Sequence, residues 1–276
     1  MPNMMKRFDL AVLWIFLALT PAGCSVLEER SSCPCYLDID YGVVRAGGWG
    51  RFPGAVVCVS AQAQDSVWRA EHPLAYCPET EEITVHRDSV RVIALVRSGQ
   101  LSPLQSMGDQ ITCSPDCQID SLYAFSETVD CTGEETRVVL VPHKQFSTLS
   151  FEDGEGGSLL RQYDLVVQGT TCGFLLTDLS AVEGPYVVRV EEVPGSGCFP
   201  VRIPRQLRPD LVLMFRSRVN PLDRFRCPVG RCLFEAGYDP AAADLPDYDF
   251  RIDLQNALLG IRVRGWEDEF IYSLYP

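Results

Sequence analysis

The sequence predicts an all-β protein, on three observations. From Cys35 onward apolar and polar residues alternate with a period of two, segment after segment; no long window shows a 3.6-residue apolar period; and Gly and Pro punctuate the chain at turn-like intervals (Gly47-Gly48, Ser102-Pro103, Gly184-Pro185, Pro194-Gly195). A period of two puts successive side chains on opposite faces of a strand, so one face can be buried while the other stays wet. Frequent turn residues imply many short strands rather than a few long elements.

The first expected strand is Cys35–Tyr41, with Cys35, Leu37, Ile39 and Tyr41 on one face and Asp38 and Asp40 on the other. Ala55–Ser60 and Glu82–Arg87 follow. Val90–Val96 (VRVIALV) is apolar almost throughout, which predicts a central strand covered on both faces. Leu122–Glu127 and Arg137–Val141 complete the first half. Phe146–Phe151 opens the second, and the acidic, glycine-rich EDGEGGS at 152–158 is expected to be a hairpin loop. The remaining strands are Tyr163–Gln168, Tyr186–Glu191, Leu211–Val219, Cys232–Ala236, Tyr248–Leu254 and Leu259–Arg264. Tyr248–Leu254 alternates most cleanly, with Tyr248, Phe250, Ile252 and Leu254 set against Asp249, Arg251 and Asp253.

This length exceeds one small sandwich and suits two cores of ordinary size. The seam is expected at Pro142-His143, giving domains of 34–142 and 143–276. No repeat aligns the two halves.

Residues 1–23 read as an export signal. Lys6 and Arg7 precede an apolar run, Leu10 to Leu19, that is too short to span a bilayer. Ala22 and Gly23 then precede Cys24, the junction of a bacterial lipobox, where the leader is cut off and the cysteine thiol takes up lipid. Pro21 stands where such junctions most often have Leu. Cys24 is therefore the expected lipidation site, and 24–33 a polar tether without apolar period. Several acyl chains on one residue hold durably, since each buried CH₂ contributes about 0.8 kcal/mol.

The whole chain has 24 basic and 37 acidic residues; loss of Lys6, Arg7 and Asp9 leaves 22 and 36, a formal charge of −14. That balance excludes nucleic acid as a partner and argues against electrostatic binding of anionic head groups. It suits a folded body held at a membrane by its lipid.

Twelve cysteines less Cys24 leave an odd number. An exported protein keeps disulfides, so several are expected to pair. Zinc is the competing reading, but no C-x₂-C occurs and His72, His86 and His143 form no H-x₃₋₅-H. A thioredoxin-like redox role lacks its motif too. In FRCPVGRCLF, Cys227 and Cys232 flank four residues including Pro228 and Gly230, the layout of a hairpin turn; a disulfide between them is expected to pin its register.

No G-x-S-x-G, H-E-x-x-H or Walker loop is present, so no enzyme and no cofactor are expected. The carboxylates Asp239, Asp244, Asp247, Asp249 and Asp253 raise calcium, but their spacing is not that of an EF-hand, and a solvated acidic face is the simpler reading. Trp266 and Tyr272 are candidates for either a partner-facing patch or core anchoring.

Two stretches then carry a family resemblance. "CSVLEERSSCPC" (24–35) running into the strand "YLDID", and "GYDPAAADLPDYDFRIDL" (237–254) followed by "IRVRGWEDEF" (261–270), resemble the FimB/Mfa-type fimbrial anchor lipoproteins of Bacteroidetes. The resemblance implies two tandem transthyretin-like β-sandwich domains. It also implies a lipid-anchored fimbrial subunit in the outer membrane, an anchor or accessory component that ends fibre growth and serves cell adhesion. In that family polymerising subunits lose a first strand to an arginine-specific protease, and a neighbour's strand fills the groove. An anchor would keep its first strand uncut at Arg30 and Arg45. Its C-terminal segment Ile261–Phe270 would pair with the fibre subunit. Glu28-Glu29 resembles the acidic signal of surface-exposed lipoproteins in that phylum. The alternative is a glycan- or host-protein-binding surface lipoprotein unrelated to fibres.

Overall fold

Wherever the sequence alternates, the chain is extended. The computed structural model describes residues 34–273 apart from 49–53, 65, 98–104, 108, 115, 154–159, 221, 223, 255, 257 and 265–269. The first half contains β1 (Pro34–Asp40), a short helix α1 (Gly42–Ala46), β2 (Val56–Gln62), β3 (Val67–Pro73), β4 (Thr80–His86) and β5 (Ser89–Arg97). It continues through β6 (Gln105–Met107), β7 (Gln110–Thr112), β8 (Leu122–Asp130), β9 (Glu135–Val139) and β10 (His143–Lys144). The second half holds β11 (Phe146–Asp153), β12 (Tyr163–Leu175), β13 (Ala181–Val190), β14 (Cys198–Pro204), β15 (Val212–Ser217) and β16 (Arg224–Cys227). Helix α2 (Val229–Glu235) then precedes β17 (Tyr248–Asp253), β18 (Leu258–Val263) and β19 (Phe270–Ser273).

These strands form four sheets, ordered β4-β1-β9, β10-β8-β5-β2-β3, β14-β11-β17-β18-β19 and β16-β15-β12-β7-β6, with β13 on the other side of β12. The first two sheets share one core. Cys35, Leu37 and Ile39 of β1 and Ile83 and Val85 of β4 meet Val57 and Val59 of β2 and Val90, Val92, Ala94 and Val96 of β5. β5 is the middle strand of its sheet, as its apolar sequence predicts, and its Ile93 is buried on the opposite face. The last two sheets share a second, larger core. There Phe151, Phe199, Phe250 and Ile261 face Leu165, Val167, Tyr186, Leu213 and Phe215. The all-β expectation holds.

The halves are interleaved where they meet. β10 still pairs with β8 of the first half, His143 opposite Ala124, and the chain passes into the second half at buried Gln145. In the other direction β7 leaves the first half to pair with the far end of β12. That pairing needs a glycine: a Cβ on Gly173 would lie 1.9 Å from the Ile111 carbonyl oxygen. A third cluster fills the seam, built from Ile111, Ile119, Leu122, Ala124, Phe146 and Phe174.

Three sequence expectations are corrected. The 152–158 stretch does not close a hairpin, because β11 pairs with β14 and β17 while β12 belongs to the other sheet; residues 154–159 themselves lie outside the described residues. The expected strand Cys232–Ala236 is helix α2 for all but its last residue. Its buried positions Val229, Cys232 and Leu233 follow helical spacing, but over too few residues to stand out in the sequence. Consequently Cys227 and Cys232 do not face each other across a hairpin: one ends a strand and the other lies in the helix that follows. Both are buried. Gly230 makes the turn possible, since its N–H donates to the Leu211 carbonyl at 2.7 Å and a Cβ there would lie 2.6 Å from Leu211 N.

Because the seam cluster is small, it should respond sharply to truncation. Phe174→Ala removes a side chain that is 1 % exposed, and is expected to cost about 3–5 kcal/mol in urea unfolding. Val219→Ala, at a position 86 % exposed, should stay within about 0.5 kcal/mol of the parent.

Candidate functional site

Three features are candidates for function: the first strand, the free sheet edges and the cleft at the seam. Cys24, the expected lipid site, lies outside the described residues, as do the tether and Trp266. The described chain begins with β1, which runs antiparallel to β4 and parallel to β9, with Leu37 opposite Ile83 on one side and Thr136 on the other. Its far end is tied down by polar contacts. Asp40 accepts from the Gly42 N–H at 2.7 Å and from Arg137 at 2.5 Å. These two contacts, the backbone one first, hold its carboxyl below the usual carboxylate range. The Tyr41 hydroxyl donates to Glu81 at 2.9 Å, and His72 Nε2 lies 2.9 Å from the same oxygen. Burial, followed by Glu81, pushes the Tyr41 phenol far above its ordinary range, so it stays a neutral donor. Arg45, on α1, is exposed.

Edge strands present unpaired backbone groups and are ordinarily blunted by charge or proline. Among the described edges of four or more residues, β4 carries Glu81 and Glu82, β9 Glu135 and Arg137, and β3 Arg69, Glu71 and Pro73. β16 carries Arg224 and Arg226, β14 Pro200 and Pro204, and β13 Glu183, Pro185 and Arg189. β19 has none of these: it reads Phe-Ile-Tyr-Ser, pairs with β18 on one side, and exposes Ile271 at 68 %. The segment expected to be available, Ile261–Phe270, is therefore shifted. Ile261–Val263 belongs to β18, which is enclosed by β17 and β19, and the open edge begins at Phe270. Tyr272 packs against the second core and donates to the Cys232 carbonyl at 3.5 Å, the core-anchoring role.

The seam carries a cleft of about 580 Å³, with Tyr123, Lys144 and Phe146 on one wall and Glu191, Glu192, Pro194 and Arg202 on the other. Arg202 fastens the walls together: Nε donates to the Ile119 carbonyl at 2.9 Å and a terminal nitrogen to Ser121 at 3.0 Å. The acidic residues of the C-terminal half also serve the seam. Asp244 accepts the Lys144 N–H at 2.7 Å, and Asp247 accepts both Lys144 Nζ and the Thr148 N–H at 2.6 Å. Asp249 pairs with Arg264 at 2.7 Å; Asp239 and Asp253 accept from the nearby Ala241 and Asn256 backbone N–H groups. The carboxylates that raised calcium thus bind protein donors, two of them forming a clamp on residues 143–148. Sequence reasoning missed this clamp; its one signal was the His143-Lys144 pair that breaks the apolar run into β11.

No family model matches the sequence, and no curated protein matches it either. Solved structures do match the fold. A candidate polysaccharide-binding protein from Bacteroides thetaiotaomicron superposes with a TM-score of 0.57 at 11% identity, over 87% of this chain and 98% of that one. The fimbrial anchor protein Mfa2 from Porphyromonas gingivalis gives 0.56 at 11%, over 85% and 98%. A candidate adhesin from Bacteroides ovatus gives 0.56 at 12%, over 86% and 95%. The fold is one that solved fimbrial and adhesin structures share, and the resemblance read from the two ends of the sequence points to the same group.

The clamp predicts a specific loss. Asp247→Ala leaves Lys144, whose side chain is 15% exposed, without its carboxylate, and the Thr148 N–H without its acceptor. Stability to urea should fall by about 1.5–3 kcal/mol, with Asp253→Ala, at a surface turn, costing clearly less.

Proposed function

We propose that this chain is a lipid-anchored fimbrial subunit, the anchor or an accessory component that attaches a fibre to the outer membrane and ends its growth. The observation that carries this reading is the likeness to a fimbrial anchor over nearly the whole of both chains. On it the two sheet pairs are read as tandem transthyretin-like domains, divided near 142–143. Cys24 holds the lipid, and the polar stretch 24–33 is the tether that precedes β1. Late in the described chain, β19 offers an uncharged and proline-free edge to which a fibre subunit could add a strand, completing backbone hydrogen bonds on both sides.

A second reading, binding of a glycan or host protein, is favoured by the seam cleft, which Tyr123 and Phe146 line beside Lys144, and by the likeness to a candidate polysaccharide-binding protein. Retention on a polysaccharide column, abolished by Tyr123→Ala, would support it over the fimbrial one.

Two experiments test the fimbrial reading. Mass spectrometry of the mature N-terminus should find acylated Cys24, and Cys24→Ala should release the protein from the membrane; an unmodified Cys24 sinks the lipid assignment. Ile271→Lys should leave the fold intact, within about 0.5 kcal/mol as for other exposed sites, while co-purification with the fibre subunit falls at least tenfold. Undiminished co-purification rejects β19 as the pairing edge.

The expected bond between Cys227 and Cys232 is retained as a proposal on different grounds. Both residues lie buried in the second core although no hairpin joins them, and burial, then the neighbouring Cys232, push the Cys227 thiol up to about 12. Non-reducing peptide mapping should find the pair linked; free thiols at both positions would refute it.

A further inference from the structure

We infer that Cys35 and Cys131 form a disulfide that staples the first strand to the opposite sheet. Cys35 is the second residue of β1, and Cys131 directly follows β8 of the facing sheet. Both side chains are wholly buried and belong to one apolar cluster. They converge on a single hydroxyl. Cys35 Sγ lies 3.8 Å from Thr136 Oγ1, which itself donates to the Asp130 carbonyl at 3.0 Å. Burial, and then the neighbouring Cys35, push the Cys131 thiol up to about 12. Cys131 is also fixed through its backbone, its N–H donating to the Asp88 carbonyl at 3.0 Å at the turn that opens β5. Two buried thiols that approach one hydroxyl from facing sheets, one on β1 and one at the end of β8, are placed to bond.

Bond formation removes one proton and one electron from each sulfur. A disulfide-class oxidant of the exported compartment accepts both and is reduced to its dithiol. That the chain meets such an oxidant rests on the export reading above; the juxtaposition of the two sulfurs does not.

The bond has a mechanical consequence. Tension on a tether attached before Pro34 enters β1 at its first residue, and would unzip β1 from β4 and β9 one register pair at a time, beginning at Pro34 opposite His86. A covalent link at Cys35 passes that load to β8 and β5 before the second pair is strained. It also holds β1 if the chain is cut at exposed Arg45, because the excised piece remains bonded to the body.

The test uses the full chain purified from its own cells, with thiols alkylated before digestion, alongside the same protein reduced and then re-oxidised in a glutathione buffer. A peptide linking Cys35 to Cys131 is expected in both samples. Reduction should lower the Tm by roughly 10 °C more in the parent than in Cys131→Ser, which keeps any other bond, as expected for a link closing a loop of this length in a chain of this size. Cleavage by an arginine-specific protease at Arg45 should release the N-terminal piece on gels only when reductant is added. A link in the re-oxidised sample but not in the cell-derived one would keep the pairing and overturn its export setting. Free thiols at Cys35 and Cys131 after re-oxidation, or either bonded elsewhere, would overturn the pairing itself.

Discussion

β4 and β9 meet only through β1. The three-stranded sheet has β1 at its centre, and removing it would leave two strands with no partner and a core open along one side. Leu37 and Ile39, fully buried, contribute about 1.5–3 kcal/mol each by burial alone, before the backbone bonds to two neighbours are counted. Everything in the first half is arranged around this insertion. The facing sheet supplies the other wall of the core, and the polar contacts of Asp40, Tyr41 and Arg137 fix the end at which β1 turns into α1. The stability of that half therefore depends on a strand that also stands first in the described chain, next to the expected tether.

The second half is joined to the first by both apolar and polar contacts, and their magnitudes decide which dominates. Exposed ion pairs contribute about 0–1 kcal/mol each, so the surface pairs of Arg189 and Arg218 with Asp164 matter little to cohesion. Phe146 and Phe174, each nearly inaccessible, contribute several times more. The Lys144–Asp247 pair lies between these extremes: it is half-enclosed, and its carboxylate also satisfies a backbone N–H. Its role is geometric, fixing the segment at which the chain changes sheets.

How much of this was legible in the sequence follows from what a local pattern can encode. Period-two alternation located β1, β5, β8, β11, β17 and β18 within a few residues, because each buries one face or both against a core. Strands whose sequences mix charge, proline and apolar residues, such as β3 (VWRAEHP) and β14 (CFPVRIP), were not anticipated; both are edges, where one side needs no partner. Helix α2 was read as a strand, since seven residues are too few to display a helical period and its start is dictated by contact of Gly230 with Leu211, nineteen residues earlier. The 152–158 stretch has a turn's composition, yet composition cannot say whether the next strand joins the same sheet. The candidate sites divide in the same way. The lipid junction is a contiguous motif and was read directly, whereas the β19 edge, the seam clamp and the Cys35–Cys131 juxtaposition exist only through long-range register.

In the proposed role the molecule has two ends that are loaded differently. Tension from the membrane enters at the head of β1, which is paired on both sides and sealed in a core. Tension from a fibre enters at β19, which among the described strands pairs with β18 alone. A closed strand resists exchange because both rows of its backbone groups are already satisfied, while an open edge gains hydrogen bonds only by adding a neighbour. Among the described residues the distribution of charge and proline follows this division: the six other edges of four or more residues are blunted, and β19 is not. A strand added at β19 would couple through β18 and β17 to β11, and β11 follows Gln145 at the seam. The path from fibre to membrane thus crosses the small apolar cluster around Phe146 and Phe174, which makes that cluster, rather than either large core, the point where such a subunit must be strong.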